Sequence, residues 1–424
     1  IRLLLRLLGI LSLLIGFFML ASLIWSNPRF GFHTDQSIVD ARFEYEGFRG
    51  LIYSTLISCA IGGLFLLLGR DAEGKLFRKE AMAVVGLSWV LATVLGALPF
   101  LFSGVYRGPS IRVFKETQQV FVVAPSYKFW QTWVEAPVTE QEFKVLEALA
   151  GVSARGLNRS QLQGASKLPA AAEVFQQLTE NRTLAKWLID PRRKDRLEPA
   201  DRASNYRIRW VRMNLVDALF ESQSGFSTTG ATVLSDLEDP RLVPRCILFW
   251  RASTHFLGGL GIIVLFVVLL GQGSAGKALM RTEVPGPTQE NPTARMQHTA
   301  WLFAAMYDGL NIVLGLLLYL LGMSPLDAIC HSFATMATGG FSTYNDSLGH
   351  FAGLPDVHGL AIEYTVIVFM VLAGTNFTLL ALFLFAQPSR LFGDIEWRTY
   401  AAIFLMASVA VITFGMLHGD EDFD

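Results

Sequence analysis

The sequence predicts an all-α membrane protein in which one unit of helix, half-helix with a loop, and helix is repeated. Of its 424 residues, 52% are hydrophobic, which is more apolar than an average soluble protein. Charged residues lie between long apolar stretches, and short motifs recur at a fixed spacing. Because charge is segregated in this way, the net charge of −1 gives no indication of a nucleic-acid partner.

Seven stretches have few charges and about the twenty residues that a helix needs to cross a bilayer. The first follows Arg2 and Arg6, as a signal peptide would, but its apolar part is too long and no clean cleavage site follows. We therefore expect it to stay as a helix. The predicted spans lie near residues 3–25, 50–69, 82–104, 244–270, 299–322, 359–386 and 399–417.

Lys and Arg residues cluster after the second, fourth and sixth spans, which indicates that these loops and the N-terminus are cytoplasmic. The acidic tail, residues 418–424, then lies outside. The basic residues are Arg70, Lys75, Arg78, Lys79, Lys277, Arg281, Arg295, Arg390 and Arg398.

A charged segment, residues 105–212, separates the third and fourth spans. Long loops cross a membrane largely regardless of their charge, so an extracytoplasmic location is compatible with its basic residues. Residues 139–150 and 170–188 have the pattern of amphipathic helices, and residues 127–133 favour an extended conformation. The segment predicts a small outer subdomain.

An internal repeat relates the region before the fourth span to the region before the sixth. Both copies lie between two apolar spans, and matching residues are offset by 110 positions. The first copy contains Asp217, Ala218, Ser222, Thr228 and Gly230, and the second contains Asp327, Ala328, Ser332, Thr338 and Gly340.

Each copy predicts a half-helix, residues 215–225 and 325–335. Asn214 and Ser324 are suitable N-caps, each copy has an aspartate three residues later, and Pro325 suits the first helical position. About eleven residues at a rise of 1.5 Å each cover roughly half of the hydrocarbon core. We expect the negative C-terminal ends of these half-helices to point at the loops that follow.

The loops are rich in Gly and Thr. Irregular backbone at membrane depth is tolerated where it is buried in protein or lines a water-filled cavity. Glycine lets the chain turn so that successive carbonyl oxygens face one axis, and a ring of them can replace the hydration shell of potassium. The hypothesis of a selectivity filter assigns this role to Thr228, Thr229, Gly230 and Ala231 in the first copy, and to Thr338, Gly339, Gly340 and Phe341 in the second.

Other glycines favour helix packing, because small residues let helix backbones approach each other. We assign this role to Gly258, Gly259, Gly261 and Gly374.

Two ionisable residues, Glu221 and Arg251, lie in apolar segments. Ionisable side chains are costly to place in a membrane and are often functional. We expect them at the outer mouth of the pore, where they would influence the access of cations.

These residues resemble the Trk family of potassium uptake proteins, within the Trk, Ktr and HKT superfamily. The run from Asp217 to Thr232 resembles the first pore loop of the family, and His331–Thr343 resembles the second. Residues 256–264 and the predicted cytoplasmic residues 281–287 add further matches. The resemblance covers most of the chain outside residues 105–212.

The resemblance implies a potassium-channel-like pore of four helix, half-helix, helix repeats, usually preceded by two extra helices. It implies potassium as the transported ion, no cofactor in this chain, a homodimer, a cytoplasmic nucleotide-binding regulatory subunit and a multi-pass location in the bacterial inner membrane. Plant relatives with serine at the filter glycine admit sodium, so Gly230 and Gly340 imply a preference for potassium.

The family pattern divides the chain into four parts. Residues 1–80 contain two helices and a basic loop, and residues 81–272 contain the first repeat with the insertion at 105–212. Residues 273–390 contain the second repeat, and residues 391–424 contain the first helix of a third. The third and fourth pore loops have no counterparts here. We expect either a fragment of a longer protein or two copies that complete one pore.

Three other classes of function are alternatives for this sequence. A secondary transporter of a small solute or cation would also use broken helices, but usually with inverted repeats, whereas this repeat is parallel. A membrane-embedded enzyme requires paired titratable groups at one depth, and the sequence predicts none, so we expect no enzyme. A purely structural subunit is the third alternative.

Overall fold

The structure is a computed structural model that describes most of the chain. The described residues are 2–27, 44–70, 78–123, 133–152, 156–180, 184–189, 206–271, 292–355, 357–384 and 388–418. The predicted motif at 281–287, the predicted extended segment at 127–133 except for Trp133, and residues 419–424 of the acidic tail lie outside these ranges.

The described residues form α-helices and short antiparallel strands. The helices are α1 Arg2–Ser22, α2 Tyr45–Leu68, α3 Arg78–Phe102, α4 Glu140–Ala150, α5 Arg159–Ser166, α6 Ala171–Leu178, α7 Leu215–Phe226, α8 Arg245–Gly271, α9 Pro292–Leu320, α10 Pro325–Met336, α11 Gly359–Ala373, α12 Phe377–Leu384, α13 Pro388–Gly393 and α14 Ile395–His418. The strands are β1 Tyr106–Pro109, β2 Ile111–Phe114, β3 Gln119–Val123, β4 Trp133–Glu135, β5 Leu188–Ile189, β6 Arg207–Ile208 and β7 Trp210–Arg212.

Within the described residues, five helical segments are long and apolar enough to cross a membrane. They correspond to the first, second, third, fifth and seventh predicted spans, and the chain is a multi-pass membrane protein. The fourth predicted span forms α8, a continuous helix of 27 residues. The five segments are Arg2–Ser26, Tyr45–Leu68, Met82–Phe102, Ala300–Leu320 and Ile395–Leu417.

The sixth predicted span, residues 359–386, is not one continuous helix. It is divided into α11 and α12 by a break at residues 374–376. The backbone N–H of Thr378 donates to Oδ1 of Asn376 at 2.9 Å, so the Asn376 side chain stabilises the start of α12. Its Nδ2 also donates to the carboxylate of Glu396 on α14, at 3.2 and 3.3 Å. Local capping therefore interrupts a segment whose apolar composition predicts one helix.

The N-terminal helices α1 and α2 pack closely against each other. A Cβ atom built at Gly9 would lie 2.9 Å from the carbonyl oxygen of Gly62, so the two backbones are nearly in contact. A side chain at either position would force the helices apart, as expected for small residues in membrane helix interfaces. Helices α3 and α8 complete this first bundle by packing against α1 and α2.

Residues 106–212 form an α/β unit with a hydrophobic core of its own. Strands β2, β3 and β4 form one antiparallel sheet, helix α4 packs against β2, and α6 packs against α4 in the same hydrophobic core. The predicted helix at 139–150 is present as α4, begun by a capping box between Thr139 and Glu142. The helix predicted at 170–188 is shorter than expected, because it ends at Leu178, where the Thr179 hydroxyl donates to the Gln176 carbonyl at 2.7 Å. Residues 188–189 form a strand.

The insertion leaves and rejoins the membrane part through a two-stranded stem. Strand β1 pairs antiparallel with β7, with Tyr106 opposite Arg212 and Pro109 opposite Trp210. The stem is held to the rest of the protein by backbone hydrogen bonds, from Tyr106 to the Leu242 carbonyl and from Met213 to the Val105 carbonyl. The two ends of the insertion therefore lie side by side, directly before α7.

Candidate functional site: two glycine-containing loops and their anchors

The two half-helices begin in the way that the sequence predicts. Helix α7 starts after Asn214, whose Oδ1 accepts from the backbone N–H of Asp217 at 2.9 Å. Helix α10 starts after Ser324, whose Oγ accepts from the backbone N–H of Asp327 at 3.1 Å, and Pro325 is its first residue. Both N-caps are confirmed, and both helices contain 12 residues.

The loops after the half-helices adopt the same unusual backbone conformation. Thr228 and Thr338 have φ angles of 52° and 53°, and Gly230 and Gly340 have φ angles of 76° and 81°. Left-handed φ angles are natural for glycine but costly for threonine, and such strain is concentrated at functional sites. The repeat is therefore present in the backbone conformation as well as in the sequence, at both of these positions.

Equivalent hydrogen bonds hold both loops against the ends of their helices. The N–H of Thr229 donates to the carbonyl of Ser224 at 2.9 Å, and the N–H of Gly339 donates to that of Ala334 at 2.8 Å. One difference follows from Ser224, whose hydroxyl donates to the carbonyl of Ala231 at 2.5 Å. In the first loop, this carbonyl of the predicted filter is thus bound to the half-helix.

The two loops touch each other at their glycines. A Cβ atom built at Gly230 would overlap with the carbonyl oxygen of Gly339, so no side chain can be accommodated there without a shift of the backbone. Among the described residues, no heavy atom lies within 4 Å of a Cβ built at Gly340. Among the described residues, the second loop therefore has no neighbour at the position where the first loop has one.

The first loop is anchored by Glu221, a fully buried residue of α7. Its carboxylate accepts hydrogen bonds from the Thr232 hydroxyl at 2.9 Å and from the Val233 N–H at 3.0 Å. It also accepts from Nε of Arg251 at 2.6 Å. Because a buried carboxylate is stable only with several partners, these contacts fix the chain just beyond the loop.

The second loop is anchored at the equivalent positions by different chemistry. His331 occupies the place of Glu221, and its Nε2 lies 3.0 Å from the hydroxyl of Ser342, which occupies the place of Thr232. Each hydroxyl in turn accepts from a backbone N–H two residues later, from Leu234 at 3.1 Å in the first copy and Tyr344 at 3.0 Å in the second. The anchors match in position, although one is a carboxylate and the other an imidazole.

Arg251 of α8 connects the two copies. Its Nε binds Glu221 of the first half-helix, and its Nη1 donates to the Ser342 carbonyl of the second loop at 3.0 Å. Its guanidinium also lies 3.4 Å from the ring centroid of Phe341. The side chains of Glu221 and Arg251 are 0% and 3% exposed, so both are inside the protein behind the loops. Their predicted effect on cation access stays a prediction.

His255, one turn after Arg251, also supports the second loop. It is fully buried, and its ring is stacked on that of Phe341 at a centroid distance of 3.9 Å. The His255 ring therefore packs against the second loop. Packing is confirmed for Gly258, where a Cβ would overlap with the Phe226 carbonyl, and for Gly259, where it would lie 2.6 Å from the Tyr307 hydroxyl.

The packing role predicted for the remaining two glycines, Gly374 and Gly261, is confirmed for one of them only. Gly374 packs against Tyr400, whose hydroxyl would lie 2.5 Å from an added Cβ, and this prediction is also confirmed. At Gly261, no described atom lies within 4 Å of an added Cβ, so the packing role assigned there has no support in the structure.

Sequence reasoning missed the anchoring hydroxyls of Thr232 and Ser342. A signal was present, because these residues have the same offset of 110 positions as the repeat and each lies 11 residues after its partner, Glu221 or His331. The donor and acceptor roles could not be read from spacing alone, since Glu and His do not look equivalent in a sequence.

The architecture is that of a helical membrane protein with two copies of a helix, half-helix, loop and helix unit. A family described as cation transport proteins, TrkH, matches residues 199–415, which is about half of the chain. The chain belongs to this TrkH family.

Named relatives and one solved structure are similar to the chain. The Trk system potassium uptake protein TrkH of Vibrio parahaemolyticus is 38% identical over 210 residues, covering 48% of this chain and 41% of the relative. TrkG of Escherichia coli K12 is 36% identical over 211 residues, covering 49% of this chain and 41% of the relative. The chain thus matches about 41% of the length of these relatives.

The crystal structure of the potassium transporter TrkH from Vibrio parahaemolyticus has a similar fold. The TM-score is 0.58, the sequence identity is 22%, and the match covers 98% of this chain and 59% of that chain. At this identity the likeness establishes the fold alone.

Proposed function

We propose that this chain transports potassium ions across a membrane, with the loops at 228–231 and 338–341 as two quarters of a selectivity filter. The observation that carries the proposal is the pair of left-handed loops, which follow two matching half-helices and touch at Gly230 and Gly339. The relatives, which are named as potassium uptake proteins, support potassium as the ion.

The proposed filter works through backbone carbonyl groups. A potassium ion that enters must exchange its water shell for oxygen ligands, and carbonyl groups of consecutive loop residues can supply them. The half-helices α7 and α10 end at these loops, and their C-terminal partial negative charge would stabilise a cation there. In the first loop, the carbonyls of Thr228, Thr229 and Gly230 are the main candidates, because that of Ala231 binds Ser224.

The free side of Gly340 supports further units around the pore. Gly230 is covered by the next loop along the chain, whereas no described atom covers Gly340. We propose that two more loops complete the filter and that one of them covers Gly340 as Gly339 covers Gly230. A homodimer, a nucleotide-binding regulatory subunit and a bacterial inner-membrane location belong to the same proposal and rest on the family.

Glu221 and Arg251 receive a supporting role in this proposal. Their buried ion pair joins the first half-helix, the span α8 and the second loop, so it holds the two loops at a fixed distance. If the filter distinguishes potassium by the size of its cavity, its carbonyl groups must not relax around the smaller sodium ion. Glu221 and Arg251 would then affect ion preference indirectly, through the positions of the loops.

The test is growth of a potassium-uptake-deficient bacterium at low external potassium, with the complete gene product and a Gly230→Ser variant. We expect the unmodified protein to restore growth and Gly230→Ser to relax the preference for potassium over sodium. The matched control is Gly86→Ser in α3, where no described atom lies within 4 Å of an added Cβ. If the well-expressed unmodified protein fails to restore growth and takes up no potassium, the proposal is wrong.

A secondary transporter of a small solute or cation is the second candidate. The break between α11 and α12 favours it, because discontinuous helices form substrate sites in such transporters. The two candidates differ in ion coupling. Potassium uptake driven by its own gradient alone, in liposomes without a proton or sodium gradient, would exclude the coupled transporter.

A further inference from the structure

The first strand of the insertion contacts both sides of the first loop. Nη1 of Arg107 in β1 donates to Oδ1 of Asp217, in the first turn of α7, at 3.0 Å. The carbonyl of Arg107 accepts from the N–H and the hydroxyl of Ser235, at 3.0 and 3.1 Å, just beyond the loop. A single residue of the insertion thus joins the start of the half-helix to the segment that follows the loop.

The second copy makes the same connection without an insertion. Asp327, the equivalent of Asp217, accepts hydrogen bonds from the Thr343 hydroxyl at 2.7 Å and the Tyr344 hydroxyl at 3.1 Å. Both donors belong to the segment beyond the second loop, so this segment is tied directly to the start of α10.

The first copy lacks these donors. At an offset of 110 positions, Thr343 and Tyr344 correspond to Val233 and Leu234, whose side chains have no hydrogen-bond donor. Arg107 supplies the missing connection, with its guanidinium on the aspartate and its backbone carbonyl on Ser235. The contact is close along the strand, because a Cβ built at the neighbouring Gly108 would lie 2.6 Å from the Ser235 hydroxyl.

We propose that Arg107 is a positioning residue for the first filter loop, and that the stem of the insertion is a structural part of the filter. This inference rests on the proposed potassium transport. Asp217 is 7% exposed at its side chain and Arg107 is 26% exposed, so water compensates little for the aspartate if the arginine is removed. The segment after the loop would then lose its link through Arg107 to the start of α7 and keep only the contacts with Glu221, so the loop would hold its carbonyls less firmly.

The experiment measures potassium and sodium uptake by the complete gene product in liposomes, with protein quantified in the membrane. We expect Arg107→Leu to lower the ratio of potassium to sodium uptake by about tenfold, since a hydrogen bond to a charged group is lost. The control is Arg159→Leu, which removes an exposed ion pair with Glu173 in the same insertion. We expect the control to leave the ratio unchanged.

A second variant separates positioning from folding. Val233→Thr introduces, with nearly the same shape, the hydroxyl that Thr343 provides to Asp327 in the second copy. We expect Val233→Thr to have no effect alone and to restore at least part of the selectivity ratio in the Arg107→Leu background. A role limited to folding would change the amount of protein and leave the ratio per molecule unchanged.

The outcomes distinguish this inference from the proposed function. Potassium uptake by the unmodified protein together with an unchanged ratio for Arg107→Leu overturns the positioning role alone. Absence of potassium uptake by the unmodified protein overturns the function on which it rests. If Arg107→Leu does not reach the membrane, the double variant Arg107→Leu, Val233→Thr is measured instead. A normal ratio of potassium to sodium uptake in the double variant supports the replacement of one link by the other. A lowered ratio contradicts it.

Discussion

The first and second loop units share one backbone conformation but reach it with different side chains. Both have left-handed residues at equivalent positions and equivalent hydrogen bonds to their half-helices. Behind the first loop stands a carboxylate, Glu221, whereas behind the second stands an imidazole, His331. The backbone conformation of the loop is therefore the feature that the two copies share, whereas the side chains that hold it differ.

The largest expected effect concerns Arg251, the side chain that joins the two units. Arg251→Leu leaves the buried carboxylate of Glu221 without its cation, and we expect a loss of about 3–5 kcal/mol in the free energy of unfolding. Thermal unfolding in detergent, followed by circular dichroism, measures it. We expect the double variant Glu221→Leu, Arg251→Leu to be more stable than Arg251→Leu alone. Equal stability of the two proteins would contradict the ion pair described here.

A smaller effect tests whether the two loops have different neighbours. Alanine at either glycine must adopt a left-handed φ angle, which costs about 1–2 kcal/mol. Gly230→Ala would also overlap with the Gly339 carbonyl, whereas Gly340→Ala would not meet a described atom. In the 424-residue chain we therefore expect Gly230→Ala to lower the unfolding temperature more than Gly340→Ala.

Gly230→Ala and Gly340→Ala in the complete gene product test whether a further loop covers Gly340. If a further loop covers Gly340 there, as we propose, the two substitutions should become similarly destabilising. A persistent difference in the complete protein would mean that Gly340 stays uncovered and that the filter is not closed by a neighbour at this position.

The smallest expected difference is the one between variants of the two anchoring hydroxyls. Thr232→Val removes a hydrogen bond to the charged Glu221, with an expected loss of about 2 kcal/mol, whereas Ser342→Ala removes one to His331, with an expected loss of about 1 kcal/mol. Unfolding temperatures of the two variants measure the difference. A larger loss for Ser342→Ala would mean that the imidazole is the stronger anchor and that our ranking of the two is wrong.

Much of the fold could be predicted because its signals are local. The N-caps Asn214 and Ser324 and the glycines of both loops lie within a few residues of the structure that they determine. The break before Phe377 was also local, but the Asn376 cap is masked by a long apolar run. The short strands of the insertion have few residues each, so their alternation gives a weak pattern.

The contacts behind the loops could not be predicted, because they join residues far apart in sequence. Arg251 reaches Ser342 over 91 positions, and Arg107 reaches Asp217 over 110. A sequence shows that Glu221 and Arg251 are ionisable in apolar surroundings, and this suggested a role at the pore mouth. Only the fold shows that each is the partner of the other, in the interior.

The paired strands β1 and β7 have a practical consequence for studying transport. Tyr106 and Arg212 lie opposite each other, so the insertion begins and ends at neighbouring positions, as a short hairpin would. A fluorescent protein with adjacent termini could replace residues 111–208, beyond the stem that carries Arg107. A change in its emission during potassium uptake would show that the stem moves, and the stem ends at Arg212, 16 residues before Thr228.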